Sequence, residues 1–249
     1  MREDTNYKIE LIIKINEREY VLDAQSFSTE NAKEIKGINS KEEYLEIQPE
    51  GNYILLTDLE IANNSYSFGN QFDNELEFSG NFNFNGHRII MNNNINNSLF
   101  KRTSSKAVIE NLVIDVELNN EIETSIYGFI STNNEGTIKN IQINLKNSTN
   151  VPNLDTYLMG RINYGTVENF YINLEVPLYG QQKLTLGYSD NYGTIKNGYI
   201  IGENIKAPYE ITENRDIGIM AITNGRTGVI KNIYSLITVE VTGSNKNLE

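Results

Sequence analysis

Apolar and polar residues alternate along most of this chain, and the alternation changes phase at regular intervals. Over residues 7–15, YKIELIIKI, the side chains of Tyr7, Ile9, Leu11, Ile13 and Ile15 share one parity, the mark of a half-buried strand. After NERE, Tyr20, Val21 and Leu22 supply a return strand, so residues 1–39 are expected to hold a small hairpin element. SKEEYLEIQPEG then predicts a capping helix over 40–48. Ser40 is its N-cap, Glu43 completes a capping box, Tyr44, Leu45 and Ile47 form an apolar face, and Pro49 with Gly51 end it. From Tyr53 onward no helical period recurs; short strand-like segments are punctuated by Asn and Gly.

Self-similarity organises the remainder. AVIENLVIDV, GTIKNIQINL, GTVENFYINL, GTIKNGYIIG and GVIKNIYSLI align on Asn111, Asn140, Asn169, Asn197 and Asn232, which lie 29, 29, 28 and 35 residues apart. A near-constant period of about 28–29 residues without helices predicts an all-β fold, a right-handed parallel β-helix over 40–249 in which each turn lies ~4.8 Å above the last. About five to six such turns would make a rod on the order of 25–30 Å long. The longer last interval is expected to carry a loop inserted at about 203–216.

Within each copy the columns alternate. Two residues before the anchor stand Ile109, Ile138, Val167, Ile195 and Ile230; one before it stand Glu110, Lys139, Glu168, Lys196 and Lys231. After the anchor the apolar set slips phase, to one, three and five residues on, so the chain must bend at the Asn. An Asn at every bend suggests an inward ladder of side-chain amides, hydrogen-bonded from turn to turn. Glycines four residues before the anchor (Gly136, Gly165, Gly193, Gly228) would permit a positive φ or a close chain approach. Glu110, Lys139, Glu168 and Lys196 alternate in sign and should pair across turns, while Phe100, Phe129, Leu158 and Leu186 form a further core column.

One column invites a functional reading. Tyr171, Tyr199 and Tyr234 stand two residues after the anchor and by parity point outward on successive turns, an aromatic stripe able to meet sugars or a partner protein. Tyrosine also favours strands, so the same stripe could serve only to stiffen a face. Tyr164 and Tyr192 sit in the corner motif with no direction assigned.

Composition narrows the classes. The formal charge of −12, with no offsetting basic cluster, argues against nucleic acid. The apolar runs are too short to span a bilayer, and no cysteine is present for disulfides or thiolate metal sites. A monomer without cofactor or bound metal is expected. The closing Leu248 and Glu249 look like a cloning remnant, which suggests a piece of a longer protein.

Catalytic chemistry finds little purchase. A zinc peptidase site needs two histidines a helical turn apart, and His87 stands alone, so these residues cannot build one; a hydrogen-bonding role in a first-turn corner is expected for it. A polysaccharide lyase or hydrolase would need stacked acids, but the column four after the anchor reads Asp115, Asn144, Asn173, Ile201, Leu236, and the one six after reads Glu117, Lys146, Glu175, Glu203, Thr238. Glu213, Arg215 and Asp216 are the remaining local candidates.

YILLTDLEI, FSGNFNFNGHRII and SLFKRTSSKAVIENLVIDVEL, within 53–118, together resemble the opening of the non-catalytic β-helical region upstream of the protease domain in immunoglobulin-A-cleaving and related streptococcal zinc metallopeptidases. The later copies look like GLUG repeats. The resemblance covers about residues 40–240; Asn83, Phe84 and Asn85 depart from the family's Asp-Gly-Asn before Gly86 and His87. It implies a secreted, cell-wall-associated Gram-positive surface protein whose full-length chain is a zinc metallopeptidase. For this region it implies no catalytic residues, and a spacer or recognition role toward a host protein, a glycan or adjacent domains of the same chain. An adhesin-type binding module is the alternative it leaves open.

Overall fold

The structure is a computed structural model that describes residues 6–15, 18–28, 34–61, 77–92, 98–117, 128–147, 155–179, 183–208 and 216–242. The chain divides into two units, Met1–Ile35 and Lys36–Glu249. The first is an antiparallel hairpin of Asn6–Ile15 against Arg18–Ser28, pairing Tyr7 with Phe27 and Ile13 with Tyr20. Its register shifts between Leu11 and Ile12, where Leu22 is the extra residue of a bulge.

The second unit is a parallel β-solenoid. The five repeat copies form strands Val108–Glu117, Thr137–Asn147, Thr166–Leu174, Thr194–Gly202 and Val229–Ser235, stacked in sequence order in one sheet. Tyr53–Ile54 and Phe82–Asn83 continue that sheet toward the N-terminus. Like stacks on like: Ile138 lies between Ile109 and Val167, and Ile143 between Ile114 and Ile172. These columns are buried, because alternation turns every second residue inward and repetition aligns those residues into one continuous core.

A second sheet stacks the short strands Phe100–Thr103, Ser131–Asn134, Gly160–Asn163, Tyr188–Asn191 and Ala221–Asn224. Phe100, Phe129, Leu158 and Leu186 are all fully buried beside it, but Phe100 aligns with Ser131 and not with Phe129, so the expected column is out of register by two residues at its first turn. Two smaller parallel sheets complete the described coil. One of them joins Leu178–Tyr179, Ile205–Pro208 and Val239–Thr242, so the segment expected as an inserted loop begins as a regular strand; 209–215 lie outside the described residues.

Each repeat strand bends where expected. Asn111, Asn140, Asn169, Asn197 and Asn232 have φ of 58°, 57°, 57°, 57° and 55°, the left-handed region that Asn tolerates better than other side-chain-bearing residues. Pairing is interrupted there: Lys139 aligns with Glu168 and Ile141 with Phe170, with the two anchors between them left out of the ladder. The left-handed residue sets two consecutive side chains outward, Lys139 and Asn140, between the buried Ile138 and Ile141. This corrects the inward placement of the anchor ladder: four of the five Asn are exposed and Asn111 is half-buried.

The inward ladder exists, at the other end of the motif. Thr103 Oγ1 donates to Asn134 Oδ1 at 2.7 Å, Asn134 Nδ2 to Asn163 Oδ1 at 2.8 Å, Asn163 Nδ2 to Asn191 Oδ1 at 2.8 Å, and Asn191 Nδ2 to Asn224 Oδ1 at 2.7 Å. Asn134, Asn163 and Asn191 are completely buried. The same amides reach the carbonyls of Gly136, Gly165 and Gly193 two residues on, closing each corner. Those glycines do not use a positive φ; a Cβ on Gly165 would stand 2.1 Å from the carbonyl oxygen of Gly136, so close approach is what requires them.

The predicted helix is present but shorter, Lys41–Leu45 instead of 40–48. Ser40 Oγ accepts from the Glu43 N–H at 3.2 Å, while Glu43 reaches back to the N–H of Asn39 at 2.6 Å. Tyr44 and Ile47 are buried and Leu45 partly so; Tyr44 meets Phe82 and Phe100 edge-on, and its hydroxyl donates to the Leu99 carbonyl at 2.7 Å.

Candidate functional site

Tyr171, Tyr199 and Tyr234 occupy one register position on successive turns. Their rings stack nearly parallel, centroids 6.0 and 5.1 Å apart and planes 9° and 10° from one another. Tyr199 is 40% and Tyr234 54% exposed. A stack uses ring faces on its own members, so the middle ring offers solvent an edge and a hydroxyl. Tyr171, the first of the three, has Tyr199 on one side and on the other the level of Gln142. Gln142 Nε2 donates to Asn144 Oδ1 along its own strand at 2.9 Å.

Beside this column runs the exposed amide ladder. Asn111 donates to Asn83 at 3.1 Å, Asn140 to Asn111 at 2.9 Å, Asn169 to Asn140 at 3.2 Å, Asn197 to Asn169 and Asn232 to Asn197 at 3.1 Å each, every Nδ2 pointing to the Oδ1 of the turn before. The buried ladder runs with the opposite polarity. Because each left-handed Asn turns its strand, the outer surface is concave there, and a groove of about 410 Å³ follows Asn111, Asn140 and Asn169 over Val113 and Gln142 to end at Tyr171. Among the described residues, no charged one lines it. The groove and the outward direction of this ladder were missed from sequence alone, although two outward residues in succession are implied wherever the apolar phase slips.

The column four after the anchor is a closed polar network instead of an acid cluster. Arg88 Nη1 donates to Asp115 Oδ2 at 2.8 Å, and Asn144 Nδ2 donates to the other oxygen of Asp115, which is only 9% exposed. Charge pairs cross the turns as expected, Lys139 with Glu110 at 3.0 Å and Lys196 with Glu168 at 2.7 Å, and Lys146 also pairs with Glu175.

His87 Nδ1 lies 3.1 Å from Asp58 Oδ1, one turn earlier, and the same oxygen accepts the Arg88 N–H at 2.9 Å. That backbone hydrogen bond, more than the imidazole, holds the Asp58 carboxyl below its usual range despite some desolvation. The histidine thus sits in a corner that ties two turns together. Glu213 and Arg215 lie outside the described residues, and Asp216 opens the strand Asp216–Gly218 with its side chain exposed. Among the described residues no group of three His, Cys, Asp or Glu side chains is arranged to hold a metal ion, and no helix is long and apolar enough to cross a membrane.

Tyr164 and Tyr192 form a second, separate stack, centroids 5.2 Å apart and planes 15° from parallel. Tyr192 also lies over Gly225, where a Cβ would stand 2.3 Å from its ring, so Gly225 supplies the space that the ring fills. The chain matches no protein-family model, no curated protein and no solved structure.

Proposed function

We propose that the solenoid is a non-catalytic spacer and recognition module of an exported bacterial surface protein, one whose complete chain is a zinc metallopeptidase. The tyrosine stack is its contact face toward a host protein or glycan. The observation that carries the reading is the in-register stack of Tyr171, Tyr199 and Tyr234, the first half-buried and the other two exposed. Aromatic edges and hydroxyls held on paired strands lose little side-chain entropy on binding, which suits them to recognition. The setting in a bacterial surface protein comes from the resemblance of residues 53–118 to the metallopeptidase region described above.

The rigid scaffold supports a spacer role. Its buried polar ladder and continuous core resist bending, so whatever lies at either end is held at a set separation. Replacing Tyr171, Tyr199 and Tyr234 together by Ser and screening host glycans and proteins tests the contact face. Loss of a wild-type interaction is expected; an interaction of undiminished strength would remove the stack from the site. An adhesin-type module differs in binding its target without an attached protease, and the isolated chain retaining that target would favour it.

A further inference from the structure

We infer that the groove along Asn111, Asn140 and Asn169 binds a pyranose ring of a neutral glycan, seated against Tyr171. The inference deepens the recognition role proposed above and rests on that reading, but it concerns a distinct surface: the groove at the start of the tyrosine stack, not the stack as a whole.

Three observations converge on this ligand chemistry. First, Tyr171 lines the groove, and Tyr199 and Tyr234 do not. Tyr199 stacks on one side of it, and Gln142, at the same register position on the preceding turn, is hydrogen-bonded to Asn144. An aromatic face at the end of a groove is a platform for the C–H face of a sugar. Second, each ladder Asn uses one amide hydrogen and one lone pair on its neighbours, leaving the other hydrogen and lone pair toward the groove side or solvent. Asn140 and Asn169 are exposed. They therefore present donors and acceptors side by side, as hydroxyl pairs on a pyranose require.

Third, the lining is uncharged although the chain carries a net −12. Arg88, which aligns with Val113 of the lining, is bound to Asp115, and Lys139, next to Asn140, to Glu110, so neither is a free counter-charge for a uronate or phosphate. The groove volume of about 410 Å³ falls within the roughly 300–1,000 Å³ of small-ligand sites. It admits one or two sugar rings, not a long chain. A peptide would find no backbone edge here, since the strands of the groove are paired on both sides.

The test is titration of the chain with cellotetraose and triacetylchitotriose as neutral probes, trigalacturonate as an acidic one and a neutral hexapeptide, followed by ligand-observed NMR and calorimetry. Binding of a neutral oligosaccharide is expected, weakened roughly tenfold or more by Tyr171→Ala and comparably by Asn140→Gly, which keeps the positive φ while deleting the amide. Tyr234→Ala, at the far end of the stack, should leave it unchanged. Unaltered melting temperatures check that the variants remain folded. Binding that survives both Tyr171→Ala and Asn140→Gly, binding of trigalacturonate or peptide alone, or binding of none of the probes would overturn the groove assignment. Sugar binding lost in Tyr234→Ala but kept in Asn140→Gly would do so while leaving the stack as the contact face, so the two readings fail separately.

Discussion

Asn163 donates its amide to Oδ1 of Asn191 at 2.8 Å, one turn above it, with both side chains shut off from solvent. Asn169, six residues further along the same strand-corner-strand unit, makes an equally regular contact in the open. The two ladders should therefore respond differently to mutation. Asn163→Leu strands the Asn134 amide and the Asn191 carbonyl in the core, at a cost of about 2–4 kcal/mol. At ~2–4 °C per kcal/mol for a chain of this size, the melting temperature should fall on the order of 5–15 °C. Asn169→Gly retains the left-handed backbone and loses only two solvent-exposed hydrogen bonds, to Asn140 and from Asn197, so a change within about 1 kcal/mol is expected. Equal losses in the two variants, measured by thermal melting, would contradict the assignment of buried and exposed ladders.

Gly198 stands in the column otherwise held by Leu112, Ile141, Phe170 and Ile233, and a Cβ there would lie 2.0 Å from the Phe170 ring. The large residue on one turn is matched by the absent side chain on the next. Gly198→Ala should cost about 1–3 kcal/mol through overpacking, and combining it with Phe170→Leu should recover part of the loss. A double-mutant cycle with no coupling would show that the two residues do not share this volume.

Two tyrosines are wholly buried with opposite hydrogen-bonding outcomes. Tyr44 Oη donates to the Leu99 carbonyl, while the Tyr188 hydroxyl has no hydrogen-bond partner among the described residues. Tyr188→Phe should be neutral or stabilising by up to about 1 kcal/mol, and Tyr44→Phe destabilising by about 1–2 kcal/mol. Chemical denaturation of the two variants measures both.

Burial pushes both hydroxyls well above the ordinary tyrosine range. The folded state then holds protons that the unfolded chain releases, so stability is intact below about pH 10 and declines above it. A Tyr44→Phe, Tyr188→Phe double variant should lose less stability between neutral and strongly alkaline pH than the wild type; an identical slope would mean these tyrosines do not control alkaline unfolding.

Asp58 behaves in the opposite sense. The Arg88 N–H holds its carboxyl below the ordinary range, so its contribution is complete above roughly pH 4 and is lost as pH falls through the folded-state value. Asp58→Asn should lower stability slightly at neutral pH and flatten the acid limb of the profile. The effect is small because the side chain is half exposed; an unchanged acid limb would exclude this group from acid unfolding.

Much of the solenoid was legible because repetition turns local patterns into register. Each copy shows its inward column as a run of Ile, Val or Leu, and the equal spacing of Asn111, Asn140 and Asn169 aligns those columns without knowledge of any distant contact. The same reasoning recovers the charge pairs, since Glu168 and Lys196 are equivalent positions one period apart. The bend at the Asn was legible too, from the slip in phase.

Direction at the bend was decided by the backbone. A left-handed residue places Lys139 and Asn140 on the same outer side, and it makes the surface concave where the groove forms. The buried ladder depended on the second sheet, whose short strands carry too few residues to show a period of their own. Tyr171, Tyr199 and Tyr234 could be put in one column from their numbers; that their rings stack on one another, with Tyr171 lining the groove, follows only from the packing of successive turns. Sequence by itself determined which residues are equivalent along the solenoid, because equivalence is a matter of period. Tertiary structure decided which of them meet solvent, because that depends on how the chain turns between strands.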